Sequence, residues 1–203
     1  LATPAGFVDN CLGVKCETLR WFLTQRLNQD LVDEIVADEK ISSAFVRNIG
    51  ICIAKERDRA ELLLNLDVNP DKLASTSKSS AFLWCVYKFK LATHKGLLTE
   101  AKKWSEYAEQ FLPYAKITNN KEVVSFINSR FVHERHNNYV FKPYFSSSLQ
   151  RYIDQLEPSQ PDMELGKLYG TIAQNYGFCG PEYLKKVECY VRLAQENFGN
   201  GQI

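Results

Sequence analysis

Residues 81–113 read AFLWCVYKFKLATHKGLLTEAKKWSEYAEQFLP and contain two long segments without a helix breaker. They predict two helices, 81–93 and 99–112, joined by a turn at Lys95 and Gly96. Only 10 glycines and 7 prolines occur among the 203 residues, and the prolines lie between periodic segments. Because both residue types disfavour helix interiors, their scarcity favours long helices over strands.

Helical spacing continues on both sides of this stretch. Within residues 14–30, apolar side chains recur at helical spacing. Asp30 can cap a short helix that follows. A longer helix is predicted to start at Ser42 or Ser43 and to continue toward Leu66. Further helices are predicted at 122–136, 146–157, 163–178 and 182–198. The predicted fold class is therefore all-α, with about nine helices arranged in antiparallel hairpins.

The segment 67–80, DVNPDKLASTSKSS, is the most loop-like part of the chain. Pro70 and the cluster of serines and threonine interrupt the helical period. This segment is the best candidate for a domain boundary. It divides an amino-terminal helical subdomain at 1–66 from a helical-repeat-like region at 81–203, although the whole chain can also form one continuous domain.

Charge is balanced overall and biased locally. The 25 basic and 24 acidic residues give a net charge of +1, so no overall basic field attracts nucleic acid or an anionic membrane. Residues 81–103 nevertheless carry five lysines against one acid. This excess of lysines has two interpretations: the lysines lie on a solvated helix face, or they form a surface that binds an acidic partner. The residues assigned to partner binding are Lys88, Lys95, Lys102 and Lys103.

The six cysteines form no C-x-x-C pair and lie mostly within apolar helical patterns. We therefore predict that they are reduced thiols in a reducing compartment. No apolar run approaches the roughly 20 residues that span a bilayer, and the amino terminus does not read as a signal peptide. We therefore expect a cytoplasmic or otherwise intracellular protein without membrane association. The first residue is not methionine, which suggests a segment of a larger protein.

Two predicted helix pairs, roughly 81–113 and 166–199, resemble tetratricopeptide repeats. That family packs two antiparallel helices per unit of about 34 residues, with large apolar and small residues at fixed positions. In the first pair the matching residues are Trp84, Tyr87, Leu91, Ala101, Ala108 and Pro113, whereas Lys88 and Ser105 depart from the pattern. In the second pair they are Tyr169, Ile172, Ala173, Tyr176, Val187, Val191 and Ala194.

The resemblance implies an irregular α-solenoid, for which a helical bundle is the alternative. It also implies a scaffold that binds another protein, or another domain of its own chain, in a concave groove lined by the first helices of the pairs. Such a module needs no catalysis and no cofactor.

A second reading of the function comes from Arg130 and His136, which are separated by five residues. This spacing resembles the R-x(4–6)-H motif of the HEPN ribonucleases, although Phe131 stands where that family commonly has a polar residue. The resemblance implies a helical bundle that binds RNA or cleaves it without metal. The histidine would exchange protons near neutral pH and the arginine would steady phosphate. A charged, hydrated helix end explains the same residues.

Other motifs for metals and cofactors fail on spacing. His133 and His136 share a helical face, but HERH is one residue short of H-E-x-x-H and no third ligand is visible nearby. The sequence contains no G-x-x-x-x-G-K-[ST], G-x-G-x-x-G or G-x-S-x-G motif. We therefore predict neither a metal nor a nucleotide cofactor.

Overall fold

The computed structural model describes residues 29–55, 64–137, 147–156 and 162–198. All regular structure within these ranges is helical, which confirms the all-α prediction. The nine α-helices are α1 (Gln29–Ala37), α2 (Glu39–Lys55), α3 (Pro70–Thr76), α4 (Lys78–His94), α5 (Leu98–Phe111), α6 (Asn120–Asn137), α7 (Ser147–Ile153), α8 (Met163–Gly177) and α9 (Leu184–Phe198). Residues 14–28, in which a first helix is predicted, lie outside the described ranges.

The segment 67–80 differs from the loop that its composition predicts, because residues 70–76 form α3. The Asn69 side chain accepts hydrogen bonds from the backbone N–H groups of Asp71 at 2.8 Å and Lys72 at 3.2 Å. Pro70 follows at the first helical position, where its missing N–H costs nothing. The residues that read as a turn are therefore the start signal of a short helix. The domain division at this segment stays a prediction.

Residue contacts separate the chain into two compact units, Leu1–Phe111 and Leu112–Ile203. In the first unit α4 is the central element, packed against α2, α3 and α5. Buried apolar residues, including Phe82, Trp84 and Phe89, occur on several sides of this helix, as expected for a helix in the middle of a core. The Trp84 ring stacks on Phe45 of α2, with ring centres 6.2 Å apart.

In the second unit α8 packs against α6 and α9, and α7 packs against the 3-10 helix Leu112–Tyr114. The buried face of α8 includes Leu168 and Ile172, neither of which is exposed to solvent. The two most extensively packed helix pairs, α4–α5 and α8–α9, fall in the two regions whose sequences resemble helical repeats. The protein is thus helical with packed helix pairs.

The helices found in the described parts of the chain include none that is both long and apolar enough to cross a membrane.

Candidate interaction surfaces

Lys88, the first of the predicted partner-binding lysines, lies within the packing of the first unit. Its ammonium group donates a hydrogen bond of 2.6 Å to the backbone carbonyl of Leu64. The same group lies 5.0 Å from the ring centre of Trp104 on α5 and 5.9 Å from that of Trp84 on α4. Burial lowers the pKa of Lys88, and the nearby carboxylates of Glu100 and Asp67 partly oppose that shift. Lys88 therefore holds α4, α5 and the chain at Leu64 together.

The other three lysines are exposed and lie at or near the turn between α4 and α5. Lys95 caps the carboxyl end of α4, and Lys102 lies on α5 one helical turn after Leu98. The Lys103 ammonium lies 5.3 Å from the ring centre of Trp104. Lys95 and Lys102 are accompanied by Leu97 and Leu98, which are 44% and 54% exposed. We refer to residues 94–98 together with Lys102 as the hairpin tip.

Arg130 and His136 both belong to α6, and Arg130 is half-buried. Positions six residues apart on an α-helix point about 120° away from each other around its axis. The side chain of His136 lies outside the described part of the structure, as does that of His133. The ribonuclease reading therefore stays a prediction. Among the described residues, no three His, Cys, Asp or Glu side chains gather as metal ligands would.

An apolar groove of about 550 Å³ runs between α8 and α9. Nine residues line it, and Gln174 is the only one of them with a polar side chain: Gly170, Ala173, Gln174, Gly177, Phe178, Val187, Val191, Ala194 and Phe198. We refer to this feature as the α8–α9 groove. A surface with so few polar groups selects for apolar occupants.

The shape of the α8–α9 groove follows from small residues on α8. A Cβ atom built on Gly170 or Gly177 would meet no atom within 4 Å, so the groove is open above both glycines. At Gly166, one turn before Gly170, the space above the glycine is instead filled by the Phe198 ring, whose atoms lie 3.1 Å from such a Cβ. The glycines thus allow Phe198 to pack closely at one position and leave the helix surface accessible at the other two.

The opposite wall comes from one face of α9. Val187, Val191, Ala194 and Phe198 are spaced four, three and four residues apart, which places them on a single stripe of the helix. Ala194 is the one buried residue described on α9, whereas Val191 is 39% exposed. The apolar stripe of α9 is therefore wider than the surface that α8 covers.

Stacked tyrosines hold the two helices of the groove together. The ring of Tyr190 on α9 lies 5.9 Å from that of Tyr176 and 6.1 Å from that of Tyr169, both on α8. Lys186 adds a hydrogen bond of 3.2 Å from its ammonium group to the Tyr176 hydroxyl. Burial raises the pKa of Tyr190 to about 12. These contacts set the spacing of α8 and α9.

The repeat-like sequence pattern covers part of this region but does not indicate the groove. Ala173, Val187, Val191 and Ala194, which match the repeat pattern of the second helix pair, also line the α8–α9 groove. The signal for the groove is the spacing of Gly166, Gly170, Ala173 and Gly177 on one helix face, because such small residues allow close approach of another backbone. The exposure of Leu97 and Leu98 was not predicted either, although the sequence shows two adjacent leucines directly after a helix-ending glycine.

Comparisons with protein-family models, curated proteins and solved structures found no match to this chain.

Proposed function

We propose that this chain is a protein–protein interaction module, a scaffold of helical hairpins arranged in the manner of tetratricopeptide repeats. In this proposal the α8–α9 groove binds the apolar face of an amphipathic helix, supplied by another protein or by another part of its own chain. The observation that carries the proposal is the groove itself, an open and almost wholly apolar surface on a pre-formed helix pair.

The dimensions of the groove favour a helical occupant. Its lining on α9 runs from Val187 to Phe198, a length of about 16 Å at 1.5 Å per residue. That length matches about three turns of a bound helix, with apolar anchors at positions i, i+4 and i+7. A small polar ligand is a poorer fit, because Gln174 alone among the lining side chains could orient it.

The exposed flank of α9 suits a partner with polar edges. Glu188, Arg192 and Glu196 are exposed beside the apolar stripe, and Arg192 lies 3.9 Å from Glu196. Surface charges of both signs contribute little affinity but set orientation and exclude mismatched partners. Binding would therefore draw its strength from the apolar contacts and its specificity from the rim.

We place this binding activity inside the cell, and it requires no cofactor. Cys85, Cys179 and Cys189 are free thiols, and burial raises the pKa of the Cys85 thiol, which keeps it in the neutral form. A reducing compartment maintains such a set of thiols.

The test is a selection from a display library of random peptides, with the full chain as the target. A Gly170→Leu/Gly177→Leu variant fills the groove from its floor, where the space above both glycines is open. Lys121→Leu adds a leucine at an exposed position of α6 and serves as the matched control. Circular dichroism establishes that all three proteins are folded.

We expect the parent to enrich peptides with apolar residues at helical spacing. Their affinity should fall at least about tenfold for the groove variant and stay unchanged for Lys121→Leu. Equal binding of every enriched peptide to the parent and to the groove variant would remove the groove as a binding site.

A further inference from the structure

Leu97 and Leu98, two adjacent residues at the hairpin tip, are both exposed to solvent. Among the described residues of the first unit, three large hydrophobic side chains are exposed, namely Ile51, Leu97 and Leu98. Two of the three are therefore neighbours in sequence, at the same turn. Single exposed apolar residues are normal on protein surfaces, whereas two adjacent ones form a small apolar patch that a partner can cover.

The backbone of the tip keeps these leucines in a fixed position. Gly96 adopts a positive φ of 70°, its N–H bonds to the carbonyl of Thr93 at 3.1 Å, and the N–H of Leu97 bonds to the carbonyl of Ala92 at 2.9 Å. This pattern is a Schellman motif, in which the residue after the glycine commonly packs back onto its helix. Leu97 occupies that place and is nevertheless 44% exposed. A binding partner would meet an ordered turn, which lowers the entropic cost of association.

Lysines outnumber acids around the leucine pair, where Glu100 is the one acidic residue between positions 94 and 103. Lys95 lies immediately before the turn, and Lys102 lies one helical turn after Leu98 on the same face of α5. Lys103 follows on α5, and all three lysines are exposed. The electrostatic complement of this surface is a group of carboxylates.

We propose that the hairpin tip binds an acidic protein segment in which apolar residues stand between the acids. The apolar residues would cover Leu97 and Leu98, and the carboxylates would lie opposite Lys95 and Lys102. This surface belongs to the first unit and shares no residue with the α8–α9 groove. The inference names the chemistry of a second partner site and does not depend on occupation of the groove.

The distribution of charge favours a protein segment over a lipid surface. Juxtamembrane segments that bind anionic lipids commonly carry clusters of four to eight basic residues. The hairpin tip and the adjacent Lys103 present three exposed lysines, and α5 also carries Glu100, Glu106 and Glu109. A peptide can place its acids beside individual lysines, whereas a uniformly charged bilayer responds to the net charge, which these glutamates reduce.

The experiment uses the full chain and the same peptide display library. Peptides selected by the parent are tested against a charge-reversed variant, Lys95→Glu/Lys102→Glu, and against an apolar-to-polar variant, Leu97→Ser/Leu98→Ser. The matched controls are Lys121→Glu, at an exposed lysine on α6, and Ile51→Ser, at the third large hydrophobic residue that is exposed among the described residues of the first unit.

We expect a class of selected peptides rich in Asp and Glu with interspersed apolar residues. This class should lose at least about tenfold in affinity with each tip variant, and it should bind both controls and the groove variant like the parent. Replacing the peptide's acids with lysines should restore binding to the charge-reversed variant. Because groove peptides and tip peptides respond to different variants, either proposal can fail alone.

Two results would overturn the inference. One is that no peptide of the selected pool discriminates between the parent and the tip variants. The other is that the parent sediments with phosphatidylserine vesicles in a manner abolished by the tip variants while no acidic peptide binds, which would identify the tip as a lipid-binding surface.

Discussion

The ammonium group of Lys88 donates a hydrogen bond of 2.6 Å to the backbone carbonyl of Leu64, which lies 24 residues earlier in the chain. The rings of Trp84 and Trp104 also lie close to this ammonium group, so it has neighbours on several sides. A lysine on a solvated face would do none of this. The lysine stem packs along apolar surface and its charged end satisfies a carbonyl, a use of long basic side chains that local sequence patterns do not reveal.

Replacing Lys88 with methionine should therefore destabilise the protein. Lys88→Met keeps most of the aliphatic stem and removes the donor to Leu64, so the free energy of unfolding should fall by about 1–2 kcal/mol, after allowance for partial exposure. Urea unfolding followed by circular dichroism measures this change. Lys102→Met is the control, because Lys102 is exposed and its replacement should change stability by less than about 0.5 kcal/mol. Equal effects of the two substitutions would show that the Lys88 contacts contribute nothing.

Gly50 on α2 provides a second test of the packing of the first unit. A Cβ atom at this position would overlap the hydroxyl of Tyr87 on α4, and Tyr87 is buried with 6% exposure. Gly50→Ala should lower the free energy of unfolding by about 1–3 kcal/mol, although alanine is the better helix former. The double variant Gly50→Ala/Tyr87→Phe removes the overlapping hydroxyl and should recover part of that loss. Denaturant titration of the parent and the two variants measures these changes in the free energy of unfolding. A Gly50→Ala variant more stable than the parent would contradict the close approach of Tyr87 to Gly50.

Local signals explain why much of the helical structure could be predicted. The helix predicted at 163–178 is found at Met163–Gly177, and Asp162 caps it by accepting hydrogen bonds from the N–H groups of Glu164 and Leu165. The helix predicted at 99–112 is found at Leu98–Phe111 and begins two residues after the positive-φ Gly96. Caps and helix-ending glycines act within a few residues, so the sequence displays them directly.

The features that could not be predicted depend on residues far apart in the chain. The position of Lys88 requires Leu64 and Trp104, which belong to other segments. The groove requires Phe198 to pack above Gly166 and not above Gly170, a choice made by the packing of α9 on α8. The short helix α3 was missed for a different reason, because Asn69 and Pro70 are equally typical of turns and of helix starts.

The tyrosine contacts between α8 and α9 should make stability depend on pH in the alkaline range. Burial raises the pKa of Tyr190 to about 12 in the folded protein, above the value of 10.0 that is usual for tyrosine. The contribution of this ring is therefore complete below pH 10 and is lost as the pH rises from about 10 through about 12. For a half-buried ring we expect a loss of about 1 kcal/mol.

Comparing the parent with Tyr190→Phe isolates this effect. Phenylalanine keeps the stacking on Tyr176 and cannot ionise, so the variant should lose less stability than the parent over the same alkaline range. Urea unfolding at several pH values between 9 and 12 measures both proteins. Parallel pH profiles for the two would show that Tyr190 ionises in the folded state as it does in the unfolded chain.

Gly170 should display a conflict between stability and binding. It lies within α8 with open space above it, so Gly170→Ala should raise the free energy of unfolding by about 0.5–1 kcal/mol through improved helix propensity. The added methyl group also raises the floor of the α8–α9 groove, and a partner helix seated there should lose affinity by about tenfold. Stability comes from urea titration and affinity from fluorescence polarisation with a peptide selected on the parent. A destabilised Gly170→Ala would contradict the open space above the glycine, whereas a more stable variant with unchanged affinity would show that the partner helix does not approach Gly170.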